Sequence, residues 1–233
     1  YTTAVATQAL VHSSILSLSN LKIIPFTSAH ARKHFDHFRA MDQPHFGITA
    51  NVDITEFLKL VRSSAELRFT PAIVYLIART ANEIPQFKRR IRGEKVIEHD
   101  AVRPSFAVPA KGEDAFSFCT VTYDSDPWTF HRAAEDQMEK MKNNPSFEDE
   151  EGMDDYLFLS TFPWASFTSV QHAMPSPPGD SVPRIVWGKY FKVADKVMMP
   201  LAVQAHHAVV DGSHLGAYYQ LIQRYLRDTG TIF

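Results

Sequence analysis

The chain has 233 residues, with 24 Lys and Arg against 26 Asp and Glu, a formal net charge of -2. Hydrophobic residues make up 45% and charged ones 21%, which excludes disorder and collagen-like repeats; the near-neutral balance also argues against nucleic acid as the main partner, because a duplex reader needs a concentrated positive field. Cys119 is the single cysteine, so an intrachain disulfide and a CxxC metal site are excluded, and stability must come from a packed core.

The first charged residue is Lys22. Polar residues such as Thr7, Gln8, His12 and Asn20 interrupt the stretch before it, and no basic segment precedes it. Spanning a bilayer takes about 20 predominantly apolar residues, so neither a signal peptide nor a membrane span is expected. Residues 1–20 read as an N-terminal extension. No other apolar run reaches spanning length, so no membrane partner and a cytoplasmic location are expected.

Residues 29–40 predict a polar-faced helix with Phe35 and Phe38 on one side. Residues 47–54 alternate, with Ile48, Ala50, Val52 and Ile54 on one face, as in a half-buried strand. Thr55 then caps a helix to about Ala65, and Thr70-Pro71 opens a second, largely apolar helix that Pro85 stops. Strands are predicted at 95–98 and 116–122, and a helix capped by Asp126-Pro127 runs to about Lys142. Residues 148–155 read as a solvated acidic loop. Strands follow at 156–160 and 166–171, then a Pro-rich surface loop at 174–183 and a hairpin of 185–193 with 197–205. A last helix covers Ser213 to Arg227. Without regular strand–helix alternation or a linker, residues 21–233 predict one α+β domain, a mixed β-sheet packed with helices.

One segment carries chemistry: Gln204-Ala205-His206-His207-Ala208-Val209-Val210-Asp211-Gly212, at a strand end that turns into a helix. His207 has a near-neutral intrinsic pKa and can take a proton at physiological pH. A carboxylate at Asp211 would more naturally hold the loop through an arginine than touch substrate. The spacing alone equally allows two satisfied polar histidines. No metal is expected on His206, His207, Asp211 and His214, because no cysteine supports it and adjacent strand residues face apart.

HHxxxDG at this place resembles the CoA-dependent acyltransferases of the chloramphenicol acetyltransferase family. The motif also occurs in peptide-synthetase condensation domains and plant acyltransferases, but the longer string PLAVQAHHAVVDGSH is similar to this family's C-terminal signature. Ser160-Thr161-Phe162-Pro163-Trp164 resembles a second motif and Gly188-Lys189-Tyr190 a third. Asn51 to Thr55 and Arg68 to Arg79 fit the first strand and following helices, so the likeness covers roughly residues 27–228.

The resemblance implies a two-layer α+β sandwich, transfer of an acetyl group from acetyl-CoA to a hydroxyl of chloramphenicol or a similar small acceptor, and a homotrimer with each site between subunits. By it, His207 is the general base and Ser160 donates a hydrogen bond to the tetrahedral oxyanion. Asp211 orients the active-site loop, with Arg32 the expected partner, although the tryptophan usual before that arginine is missing and Arg32 is about one position out of register. His206 is a structural companion. Trp164 and Tyr190 line the coenzyme channel, while Lys189 and Arg68 stand near its phosphate. Phe46, His172, Arg184 and Val186 fall at the acceptor pocket. There the chain departs from the pattern, with Val186 replacing a threonine, and His172 and Arg184 replacing apolar residues. A buried arginine is costly unless paired, so Arg184 must reach solvent, find a carboxylate or serve an anionic acceptor.

These departures keep open the same chemistry on another hydroxyl acceptor, or a non-catalytic ligand-binding relative. The core of a 2-oxo-acid dehydrogenase acyltransferase shares a similar signature but carries a lipoyl domain, for which residues 1–20 are too short.

Overall fold

The computed structural model describes residues 21–112, 114–148, 150–174 and 180–233. The N-terminal extension and residues 175–179 of the Pro-rich loop lie outside the described residues.

Ten strands and five α-helices follow in chain order among the described residues: β1 (Lys22–Ile24), α1 (Ala29–Arg39), β2 (His45–Asp53), α2 (Thr55–Ser63), α3 (Phe69–Asn82), β3 (Arg89–Arg92), β4 (Lys95–Glu98), β5 (Arg103–Pro109), β6 (Phe116–Thr120), α4 (Pro127–Asn143), β7 (Tyr156–Phe162), β8 (Arg184–Gly188), β9 (Phe191–Val193), β10 (Lys196–His206) and α5 (Gly212–Arg227). The large sheet has the order β2-β10-β8-β7-β5-β6, with β9 also on β10, and a small sheet has the order β1-β4-β3. The β5–β7 and β7–β8 pairs are parallel and the others antiparallel, which makes the large sheet mixed.

Alternation along the strands separates two faces of the large sheet. Leu157 and Leu159 of β7, Ile185 and Trp187 of β8, and Met199, Leu201 and Val203 of β10 are buried in the core with α3 and α5. The deepest helix is α3, buried from Pro71 to Ala78. Each such aliphatic or aromatic side chain contributes about 1.5–3 kcal/mol of transfer free energy, which explains why this helix tolerates apolar residues on most faces. At its C-terminal end the Asn82 amide both donates to Val102 O at 3.0 Å and accepts from Val102 N at 2.7 Å.

Several sequence expectations are corrected. Thr55 is the first helical residue of α2, not its cap; the Asp53 carboxylate accepts from Thr55 N and Oγ1 at 3.0 and 2.6 Å instead. The expected strand at 166–171 does not form. The chain there folds back over the sheet end, with Lys189 N donating to the carbonyls of both Phe162 and Ala165 at 3.1 Å. Strand β5 forms where no strand was expected; Pro104 sits in register with Leu157, and its carbonyl accepts from Val121 N.

The acidic loop is solvated as expected at Glu148, Glu150 and Glu151, but its Asp154–Asp155 end is a strap. Asp154 binds Arg92 at 2.6 Å and His99 at 2.8 Å, while Asp155 and Glu150 both bind Arg103. Arg90, only 1% exposed, donates to the carbonyls of Asp154, Tyr156, Phe87 and Arg89. These bonds tie the small sheet to the start of β7.

Two outcomes test this account. A Cβ at Gly188 would meet Cε1 of Phe167 at 2.7 Å and Cγ of Pro200 at 2.8 Å, so Gly188→Ala should destabilise by about 1–3 kcal/mol through overpacking, read from urea unfolding. Burial pushes the Asp154 carboxyl up, but the bonds from His99 and Arg92 outweigh it and hold it well below the usual range. A depressed carboxylate stabilises above its unfolded pKa, so stability should fall progressively as pH drops below about 5 and go on falling past the usual carboxylate range, and Asp154→Asn should flatten that fall in urea midpoints.

Candidate functional site

The 11 residues of β10 pair with β2 over nine of them and with β8 over four. Its last residue, His206, lies opposite His45 of β2. The ladder is locked just beyond, where His207 N donates to Pro44 O at 2.9 Å. Strand alternation then sends the two histidines apart, as expected. His206 is buried, edge-on to His45 at 5.0 Å, and its Nδ1 accepts from Ala208 N at 3.2 Å. Burial, with His45 and His207 nearby, pushes its pKa down to about 4, so it is a neutral structural imidazole at pH 7.

On the other side, two phenyl rings hold the His207 imidazole. Phe38 of α1 stacks on it at 3.8 Å and 7°, and Phe46 of β2 packs at 4.3 Å and 28°. His34, one helical turn before Phe38, meets it edge-on at 6.0 Å. The Nδ1 atom is buried without a partner among the described residues, which leaves Nε2 as the nitrogen available to a second molecule. Phe38 was not singled out in the sequence, where it read only as part of an apolar helix face.

Asp211 and Arg32 do not meet. The Asp211 carboxylate caps α5, accepting from Ser213 N at 2.8 Å and His214 N at 3.3 Å, while His214 Nδ1 accepts from Asp211 N. Arg32 is engaged by Asp36 one turn along α1, at 2.7 Å, and by Glu94 of the β3–β4 turn. Asp211 is the N-cap of α5 and meets no arginine among the described residues.

Ser160 lies on the sheet face away from the buried helices. It is opposite Val186 of β8, and Val186 is opposite Ala202 of β10. On its other flank β5 continues the row to Ala107, which pairs with Phe118 of β6. Phe118, with Phe116 at 5.8 Å and Phe147 at 4.4 Å, makes an aromatic wall at the sheet edge. The sequence pattern gave no signal for this wall, because its three rings come from two separate segments.

His172 lies over the same face, its backbone N donating to Gln204 Oε1 at 3.2 Å. Arg184 has found a carboxylate: Nη1 and Nη2 bind Asp180 at 2.9 and 2.8 Å. Of the four expected acceptor residues, Val186 pairs with Ser160, Arg184 and His172 meet Gln204 of β10 on the same face, and Phe46 sits with His207.

The expected coenzyme residues gather beyond the C-terminal ends of β7 and β8. Trp164 is 75% exposed and contacts Phe162, while Tyr190 is 39% exposed and faces Phe69, next to Arg68. Such exposure excludes a core role for Trp164. Lys189 is exposed, and Arg68 stands 3.9 Å from Glu135 at a cleft of about 580 Å³. Burial pushes the Cys119 thiol up to about 12, which leaves no nucleophilic thiolate. Among the described residues, no cluster of His, Cys, Asp and Glu stands ready to hold a metal, and no helix is long and apolar enough to cross a membrane.

Within one chain the two principal residues are far apart. His207 is five residues beyond Ala202, and Ser160 is two strands across from it. At about 3.3 Å per residue and about 4.8 Å per strand, their Cα atoms are about 19 Å apart.

The buried His206 predicts a titration. Its depressed pKa means that neutral His206 stabilises the fold above the unfolded value of about 6.5, a contribution lost as pH falls toward about 4. In an NMR titration His206 should hold its neutral shifts down to about pH 5; a midpoint near the unfolded value contradicts its burial.

The sequence profile of the chloramphenicol acetyltransferase family matches residues 19–223. The chain is 31% identical to the chloramphenicol acetyltransferase of Escherichia coli over 196 residues, 84% of this chain and 89% of the relative. Its fold superposes on a solved chloramphenicol acetyltransferase with a TM-score of 0.78 at 24% identity, covering 88% and 99% of the two chains. The dihydrolipoamide acetyltransferase of Azotobacter vinelandii shares the fold at a TM-score of 0.62 and 18% identity, covering 91% and 93%. With most of its length matched by the family profile and by a relative 31% identical over 84% of it, this chain belongs to the chloramphenicol acetyltransferase family.

Proposed function

We propose that this protein transfers an acetyl group from acetyl-CoA to a hydroxyl of chloramphenicol or a similar small acceptor. The observation that carries the chemistry is the His207 imidazole, clamped by Phe38 and Phe46 with Nδ1 buried and Nε2 left free. A ring held this way presents one nitrogen to an incoming alcohol at little further entropic cost.

Nε2 of His207 takes the hydroxyl proton as the acceptor oxygen attacks the thioester carbonyl. The tetrahedral oxyanion that forms accepts a hydrogen bond from Ser160 Oγ. Its collapse breaks the C–S bond and releases the CoA thiolate, which recovers the proton from the His207 imidazolium. The products are the acetyl ester and CoA. One preorganised oxyanion donor of this kind contributes about 3 kcal/mol.

A separation of about 19 Å within one chain is too wide for Ser160 and His207 to serve the same carbonyl carbon, since each must come within about 3 Å of a reacting atom. We therefore infer that a second copy completes each site. Ser160 of one chain, with the aromatic wall and the Trp164–Tyr190 end, faces His207 of the next in a homotrimer. Lys189 and Arg68 then supply positive charge to the coenzyme phosphates. We read residues 21–233 as one domain acting in the cytoplasm, where acetyl-CoA is available.

Three outcomes are expected. In a thiol-release assay His207→Ala should abolish acceptor-dependent CoA release. Ser160→Ala should lower kcat about 100-fold to 1,000-fold with little change in KM. Mixing His207→Ala and Ser160→Ala chains through denaturation and refolding should restore about a quarter of wild-type activity, because random assembly leaves that share of interfaces intact. A mixture as inactive as its parents would refute the shared site.

A further inference from the structure

Helix α1 carries the Phe38 half of the clamp on His207, yet it has few anchors in the body of the protein. Phe35 is its one buried residue, and the Phe35 ring packs at 5.0 Å against Phe26. A single buried anchor leaves a helix free to roll about its own axis, and Phe38 would swing with that roll.

A second fastening lies on another side of the helix. Arg32, Asp36 and Arg39 follow the i, i+4, i+7 spacing and share one stripe of α1, whereas His34 and Phe38 share the stripe that meets His207. The Glu94 carboxylate, in the turn between β3 and β4, accepts from Nη2 of both Arg32 and Arg39, and Gly93 O accepts from Arg39 Nη1. Asp36 Oδ2 accepts from Arg32 Nε at 2.7 Å. The two guanidinium carbons lie 5.9 and 5.4 Å from the Phe35 ring centroid, so the clasp closes over the buried anchor.

The base of this clasp is firm. Gly93, at φ 58°, adopts the left-handed backbone that closes the two-residue turn between Arg92 and Lys95. Behind the turn, Arg90 and Arg92 tie β3 to the strap at Asp154 and Tyr156. Hydrogen bonds from Arg39 and Arg32 hold the Glu94 carboxyl below the usual range, so it is ionised at neutral pH. Exposed pairs of this kind add little to the stability of a fold. One carboxylate that bridges two arginines about two helical turns apart nevertheless fixes the direction in which the helix faces.

We propose that Glu94 is a positioning residue for acetyl transfer: by bridging Arg32 and Arg39 it sets the roll of α1 and so holds the Phe38 ring against His207. The proposal rests on the reading of His207 as the general base. Glu94 itself touches no reacting group and acts only through Phe38. A displacement of about 1 Å at a catalytic group can cost about 100-fold in rate, so a small roll suffices.

The test measures kcat and KM by CoA release from acetyl-CoA with chloramphenicol, beside urea midpoints. Glu94→Ala should lower kcat about tenfold, with KM for acetyl-CoA within about twofold of wild type and the urea midpoint nearly unchanged. Glu94→Gln, which keeps the size of the side chain and removes its charge, provides a second version of the same test. A double-mutant cycle with Phe38→Leu, which removes the ring face, then separates positioning from a general structural role. Adding Glu94→Ala to Phe38→Leu should lower kcat by less than about twofold further. A kcat equal to wild type in both Glu94 variants overturns the proposal, as do losses that multiply in full in the double variant. Absence of CoA release by the wild type overturns instead the reading beneath it.

Discussion

The register of β10 between β2 and β8 is the constraint on which the rest of the molecule depends. A slip of one residue would move every side chain of that strand to the opposite face. In the observed register Met199, Leu201 and Val203 fill the core, while Ala202 stands in the row of Ser160 and Val186. The same register brings His206 opposite His45 and leaves His207 as the first residue past the ladder, against Phe38 and Phe46. Pro200, unusual inside a long strand, sits where β10 changes partner from β9 to β8. The two-residue turn between β9 and β10, with Ala194 at φ 53°, sets the start of that ladder.

Charge in this protein works mostly on architecture. Arg90, Arg92 and Arg103 are all committed to the strap at 150–156, and Arg32 and Arg39 both reach Glu94. The exposed pairs on Glu94 contribute little stability each. The buried Arg90 differs, because removing it would strand several carbonyls in a dry interior. The remaining positive groups at the C-terminal ends of β7 and β8, Lys189 and Arg68, stand beside Trp164 and Tyr190. That end of the sheet therefore combines exposed aromatic faces with loosely held cations, a combination suited to a ligand with a planar base and phosphates.

Much of this was legible in the sequence, and the exceptions have physical causes. The helices at 29–40, 70–82, 127–142 and 213–227 are found where periodicity and caps put them, because those signals are local. Thr55 is not the cap because its hydroxyl is engaged outside the helix, donating to Asp53 Oδ1 and accepting from Val197 N, 142 residues away in sequence. The strand expected at 166–171 has a strand-like composition, yet Phe167 packs on Gly188 and bends the chain over the face of the sheet instead of along its edge. The acidic loop has a solvated composition; its partners Arg90, Arg92 and Arg103 lie about 50 to 60 residues away in sequence, a separation no local pattern reports. The Asp211–Arg32 pairing failed for the same reason in reverse: closer partners, Asp36 and Ser213, satisfied both groups.

The sequence by itself determined the family, the mixed α+β architecture and the identity of His207, His206 and Ser160 as residues of interest. These depend on motifs and periodicities that a linear chain carries in full. Only the tertiary structure decided which ring clamps His207, where Arg184 finds its carboxylate, and that Ser160 and His207 stand on separate parts of one sheet. Those are contacts between segments distant in the chain. Their energies depend on strand register and side-chain direction, and both are fixed only when the sheet and its helices pack together.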